Sequence, residues 1–246
     1  MKNRISGYHF QRKGGPGFAV PAILMLVVFA FNATAQHNRG LAMSKVATGP
    51  ANAPQAAPPL LIDSFKAGPT PPVTEVNPDR DWPGNPQELM GGSRHIHWSK
   101  VSPDKQPGSY QVVSEKPALF VNAGYHVMTQ LQISYKVPPD AADLTKHDRI
   151  LMDFDGLGSE MLVNIVVYGN SKVNDGHTGN GCKVAAPAGP FTLSFPFTHL
   201  EPEVLKKAYK IVFELEPNRE GSDYALTRIT SAKGDPAGKN IVTCTK

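Results

Sequence analysis

The chain has 246 residues, 40% of them hydrophobic and 19% charged. Its 22 glycines and 23 prolines exceed the roughly 12% of average usage, which points to many turns rather than long helices. The length allows one ordinary domain with appendages and excludes a large multidomain machine. The net charge of +4 resides in residues 1–35, which carry Lys2, Arg4, Arg12 and Lys13 and no acid. The remainder is neutral and lacks the electrostatic footprint that a nucleic-acid partner requires.

Those four charges precede an apolar run of 14 residues, Phe18 to Phe31, and then Asn32-Ala33-Thr34-Ala35. A basic start, a short apolar stretch and small residues before Gln36 describe a secretory signal peptide over residues 1–35. A retained anchor is the alternative, but a spanning helix needs about 20 apolar residues and this run contains Pro21. The expected location is secreted or periplasmic. No other run approaches membrane length, so no membrane contact is expected once the leader is gone.

Export sets the redox compartment. The two cysteines, Cys182 and Cys244, form an even pair that can bridge. A bridge closing about 60 residues stabilises by about 4 kcal/mol in the chain-entropy model. Two unpaired buried thiols are the alternative. A closed zinc site needs four ligands, so two isolated cysteines do not make one.

Residues 36–59 are rich in Ala, Pro, Asn and Gln and read as a spacer. The folded domain, 60–233, opens with a short strand at Leu60 to Phe65. Lys66 to Gly92 follows as a long turn-rich stretch holding six prolines and Trp82; loops of that length are usually functional or mobile. His95 and His97 lie two apart on a strand, with Ile96 and Trp98 facing the other way. Val127, Thr129, Leu131, Ile133, Tyr135 and Val137 share one face, and His126, Met128, Gln130, Gln132, Ser134 and Lys136 the other, the signature of a half-buried strand. Ile150, Met152 and Phe154 alternate in the same way, and Val163, Ile165 and Val167 mark a central strand.

Asn174 to Cys182 is glycine-rich and reads as a mobile hairpin loop, since it lacks the signature of a phosphate loop. Phe191, Leu193, Phe195 and Phe197 line one face of a further strand. His199 to Tyr209 allows a short helix that Pro202 forces to start late. Strands at Ile211 to Leu215 and Asp223 to Ala232 complete the domain, and 234–246 is a C-terminal tail. Gly, Pro, Asn and Asp clusters supply the turns. Nine to eleven strands, at most one short helix and no βαβ alternation predict an all-β fold of two packed antiparallel sheets.

Particular segments carry a resemblance. Leu61-Ile62-Asp63-Ser64-Phe65, Gly91-Gly92-Ser93-Arg94-His95-Ile96, Arg149 to Gly156, Phe191 to Phe197 and Asp223 to Ile229 together resemble a galactose-binding-like jelly-roll sandwich, the shape of many carbohydrate-binding modules. The opening strand and the Gly-Gly turn are also similar to the domain of complex I intermediate-associated proteins. The resemblance covers roughly residues 60–233. It implies a jelly roll whose first and last strands are adjacent, and it transfers no ligand.

Aromatic side chains are the candidate sugar contacts: Trp82 in the long loop, Tyr125, and Tyr168 before Gly169, each able to stack an apolar ring face and offer a polar tip. For Trp82 the alternative is a plug at the end of the sandwich. His95 and His97 could ligate a metal, but no third ligand is evident and no metal site is assigned. Asp63, Asp153, Asp155 and Asp223 offer hard oxygens for a structural calcium, with turn capping and arginine pairing as the alternative; no other cofactor is implied. No nucleophile elbow, H-E-x-x-H or Ser/His/Asp spacing occurs, so no enzyme is expected. The reading is an exported non-catalytic binding module for a glycan or cell-surface polymer. The alternative is an envelope structural or assembly protein that docks a protein partner on a sheet face. A polysaccharide hydrolase or lyase, which would cluster its carboxylates in a cleft, ranks third.

Overall fold

The computed structural model describes residues 57–74, 79–100, 108–122, 129–156, 158–217, 223–236, 238 and 240–245. The leader, most of the spacer and Tyr125 lie outside the described residues. Alternating apolar residues become thirteen strands: β1 Leu60–Asp63, β2 Asp79–Pro83, β3 Ser93–Lys100, β4 Ser109–Val113, β5 Ala118–Asn122, β6 Thr129–Lys136, β7 Arg149–Gly156, β8 Glu160–Gly169, β9 His177–Ala185, β10 Phe191–Pro196, β11 Ala208–Pro217, β12 Tyr224–Ala232 and β13 Ile241–Thr243. The one α-helix among the described residues is α1, Pro202–Leu205, with Pro202 in its first turn, where its missing N–H costs nothing. No helix among the described residues is long and apolar enough to cross a membrane.

The strands form two sheets. A six-stranded sheet runs β2-β3-β6-β11-β8-β9, and a seven-stranded sheet runs β13-β10-β7-β12-β5-β4, with β1 also beside β12. The pairings are antiparallel apart from β10 with β13. The first strand and the last long strand are therefore neighbours, the adjacency a jelly roll requires. Inward positions of both sheets are closed off from water: Ile96, Leu131, Ile133, Val163, Ile165, Phe213, Met152, Leu193, Phe195 and Leu226 are each fully buried or nearly so. Burial of each large apolar side chain contributes about 1.5–3 kcal/mol. Period-two alternation in β6 and β11 is the cause, since a pleated strand sends successive side chains to opposite faces.

Three sequence expectations change. Trp82 is not in a loop but on β2, an edge strand that pairs with β3 inside the proline-rich stretch. An edge strand tolerates the flanking prolines because one side needs no ladder hydrogen bonds. The glycine-rich segment becomes a turn over Val173–Gly176 and then β9. Its glycines lie under larger side chains of β8: a Cβ at Gly181 would collide with the Asn164 side chain, and one at Gly179 would press on Val166. The tail contributes β13, and Cys244 just after it is bonded to Cys182 on β9.

One polar cluster is sealed inside this apolar core. Asp63 ends β1 and is 0% exposed, as is Arg94 on β3. The guanidinium grips the carboxylate with two bonds, Nε to Oδ2 at 2.6 Å and Nη2 to Oδ1 at 2.8 Å. Tyr135 on β6 donates to the same Oδ2 at 2.8 Å, and the Phe65 amide donates to Oδ1 at 2.7 Å. Arg94 also donates to the Gly68 carbonyl and lies over the Phe65 ring at 4.9 Å. Burial opposes the charge of Arg94, but the hydrogen bonds and charge of Asp63 hold it above the usual guanidinium range. Burial, helped by the Asp63 charge, pushes the Tyr135 phenol well up. Asp63 therefore serves arginine pairing and turn capping.

The Gly-Gly turn leads the chain into Arg94. Gly91 has φ +68°, and a Cβ there would collide with the Lys136 carbonyl. Left-handed backbone and a blocked Cβ both demand glycine. Gly91→Ala is expected to destabilise by about 1–3 kcal/mol, checked by urea unfolding; a midpoint equal to that of the unaltered chain would refute the argument.

Candidate functional site

The outward face of the six-stranded sheet is where polar side chains gather in register. Side chains directly opposite across neighbouring strands are neighbours on that face. The pairings resolve into three rows that cross the strands. One row runs Lys136, Lys210, Tyr168, His177 over β6, β11, β8 and β9. The next runs Asp81, His95, Ser134, Val212, Val166, Gly179 from β2 to β9. The third runs Asp79, His97, Gln132, Glu214, Asn164, Gly181 over the same strands.

The middle row is the low one. From Ser134 to Gly179 its side chains are small or absent, while longer side chains stand on both sides. The result is a depression of about 300 Å³ bounded by Lys210 and Tyr168 on one side and by His97, Gln132 and Glu214 on the other. Ligand sites are concave and carry a few well-placed polar groups.

The third row is held rigid. The Glu214 carboxylate accepts from Gln132 Nε2 at 2.9 Å through Oε1 and from Asn164 Nδ2 at 3.2 Å through Oε2. Each amide uses one N–H on Glu214 and has a second N–H donor besides. At the β2 edge His95 stands between two carboxylates, with Nε2 at 2.5 Å from Asp79 and Nδ1 at 3.0 Å from Asp81. His97 Nδ1 lies 3.9 Å from Asp79.

The aromatic component is Tyr168, half-buried on β8. Its ring lies 6.4 Å from the Tyr209 ring and 6.0 Å from His177, and the Lys210 ammonium lies 5.6 Å from its centroid. Tyr209 is 46% exposed and sits at a bulge in β11, where Ala208 pairs with Gly169 but Lys210 pairs with Tyr168. An extra residue re-aims a side chain at such a point.

Of the residues singled out from sequence, Tyr168 is in the depression, together with His95 and His97, which share its face. Trp82 faces the other way on β2 and is half-buried against the core. Tyr125 lies outside the described residues. The four aspartates do not meet at one point: Asp155 lines one depression with Asp223 and another with Asp153, and Asp63 lies apart from all three. Asp63 is sealed with Arg94, Asp153 accepts from Thr192 at 2.7 Å, and Asp223 accepts from Asn122 at 3.4 Å. Among the described residues no three His, Cys, Asp or Glu side chains are grouped to hold a metal ion. Sequence reasoning placed Gln132, Ser134 and Lys136 on a polar face. It did not single out Asn164, Glu214, Tyr209 or Lys210, because only strand order brings β11 beside β6 and β8 beside β11.

No protein-family model and no curated protein matches the chain. Among solved structures it is similar to a family 11 carbohydrate-binding module, CtCBM11, with 12% identity, a TM-score of 0.41 and coverage of 75% of this chain and 100% of that one. It is also similar to the family 30 carbohydrate-binding module of a cellulosomal cellulase of Clostridium thermocellum, with 12% identity, a TM-score of 0.36 and coverage of 72% of this chain and 98% of that one. An agarase, AgWH50C, matches at 9% identity and a TM-score of 0.38 over 57% of this chain; the chain spans 23% of that enzyme's length. By its own strand order and register, this chain is an all-β, two-sheet jelly-roll sandwich.

Proposed function

We propose that the chain is an exported, non-catalytic binding module for a glycan or cell-surface polymer, and that the three-row face of the six-stranded sheet is its binding surface. The observation that carries this reading is the Gln132–Glu214–Asn164 row, fixed by internal hydrogen bonds, facing Tyr168 across a floor of small side chains. A sugar ring has hydroxyls on its rim and apolar C–H groups on its faces. Planar amides and carboxylates suit the former and a tyrosine ring the latter. Side chains already held in place lose little entropy when a ligand arrives. A protein partner would ask for a contiguous apolar patch, whereas the described apolar side chains in the three rows are Val166, Val212 and the ring of Tyr168. The leader and the Cys182–Cys244 bridge support an oxidising compartment outside the cytoplasm.

The test is affinity electrophoresis of the full chain through gels carrying single polysaccharides, neutral and charged. At least one is expected to retard it, and Tyr168→Ala is expected to weaken that retention by about tenfold or more with the fold intact by circular dichroism. Equal migration in every gel would defeat the proposal.

A further inference from the structure

The first of the three rows differs from the others in charge, and this inference rests on reading the face as a glycan site. Lys136 and Lys210 stand directly opposite each other on adjacent antiparallel strands. Like charges so placed are destabilising. Among the described residues neither lysine forms an ion pair with a carboxylate. The acids of the three rows are engaged elsewhere: Asp79 and Asp81 on His95, and Glu214 on Gln132 and Asn164. Glu214 is also four residues along β11 from Lys210, about 13 Å at the rise of a strand.

Ser134 is the second observation. It is 7% exposed, its hydroxyl has no hydrogen-bond partner among the described residues, and it lines both the main depression and a second one of about 280 Å³. That second depression is bounded by Lys136, Lys210, Ser93 and Ser134, with Asp81 and His95 closing its far side. Two ammonium groups without counter-charges and a free hydroxyl donor thus border one concavity that runs into the sugar-binding groove.

We infer that the ligand is an anionic glycan, a polysaccharide bearing carboxylate or sulfate groups, with its acid groups against Lys136 and Lys210 and its hydroxyls against the Gln132–Glu214–Asn164 row. An ammonium group binds either acid as a point charge. The like-charge pair, unfavourable in the free protein, becomes favourable when an anion lies between its members.

The experiment compares retention of the full chain by polygalacturonate, a sulfated galactan and an uncharged galactan. One or both charged polymers are expected to bind more tightly than the uncharged one, and which of them binds identifies the acid group. The Lys136→Gln/Lys210→Gln double variant is expected to lose affinity for the charged polymer by about tenfold or more. Its melting temperature should be unchanged or raised, because the like-charge contact is gone. Equal retention by charged and uncharged galactan, with the double variant unaltered, overturns the anionic assignment and leaves the glycan reading standing. Retention by charged polymers that survives Tyr168→Ala undiminished marks generic charge attraction and overturns it too. Retention by none of the polymers overturns both.

Discussion

Arg94→Leu is expected to lower the unfolding free energy by about 3–5 kcal/mol. The substitution leaves the Asp63 carboxylate 0% exposed with the Tyr135 hydroxyl and the Phe65 amide as its remaining donors. It also frees the Gly68 carbonyl, which Arg94 satisfies at 3.1 Å. A buried charge without its partner is the costly case, far more so than the absence of the pair as a whole. Domains of this class retain only about 5–15 kcal/mol of net stability, so the variant should be at the edge of folding at ambient temperature. Tyr135→Phe removes one hydrogen bond to the same carboxylate and should cost less, about 1.5–3 kcal/mol. Urea titrations of both variants read the order directly. An Arg94→Leu midpoint within error of the parent, or a Tyr135→Phe effect exceeding it, would mean that the cluster does not hold β1, β3 and β6 together as described.

Removing the disulfide has the second large expected effect. Cys182 lies on β9, one edge of the six-stranded sheet, and Cys244 follows β13, one edge of the other sheet. The bond therefore staples the two layers along an open side of the sandwich. The cysteines are 62 residues apart, and a loop of that length confers about 4 kcal/mol through restriction of the unfolded chain. The Cys182→Ala/Cys244→Ala double variant, which leaves no lone thiol, should show that loss in denaturant unfolding. It should also show faster amide exchange in β13, whose pairing is confined to the three positions with β10. Unchanged stability together with unchanged β13 protection would show that the sheets are held by their apolar interface alone.

The buried cluster gives physical content to the motifs that carried the family resemblance. In Ile62-Asp63-Ser64-Phe65, Ile62 enters the core, Asp63 meets Arg94, Ser64 donates to the Glu88 carboxylate at 2.6 Å, and Phe65 lies against the guanidinium. Gly91 and Gly92 turn the chain so that β3 can deliver Arg94 to Asp63. These residues occur together because each needs the others, and they say nothing of a ligand. This is why the resemblance pointed to the fold and assigned no face to a ligand.

Local chemistry alone settles several features of this protein. Alternation at every second residue separates an apolar from a polar face in β6, β7 and β11, since the pleat has a period of two whatever the neighbours are. An even pair of cysteines and a chain that is neutral beyond residue 35 are equally legible from the residues themselves. Strand order was decided elsewhere. Glu214 lies 82 residues from Gln132 and 50 from Asn164, and no local pattern states that β11 inserts between β6 and β8. The edge position of β2, the bulge that turns out Tyr209, and the facing of Lys136 by Lys210 all depend on register across distant strands. Register is chosen by how whole apolar faces pack together, so the composition of the outward polar face is a property of the assembled sheet.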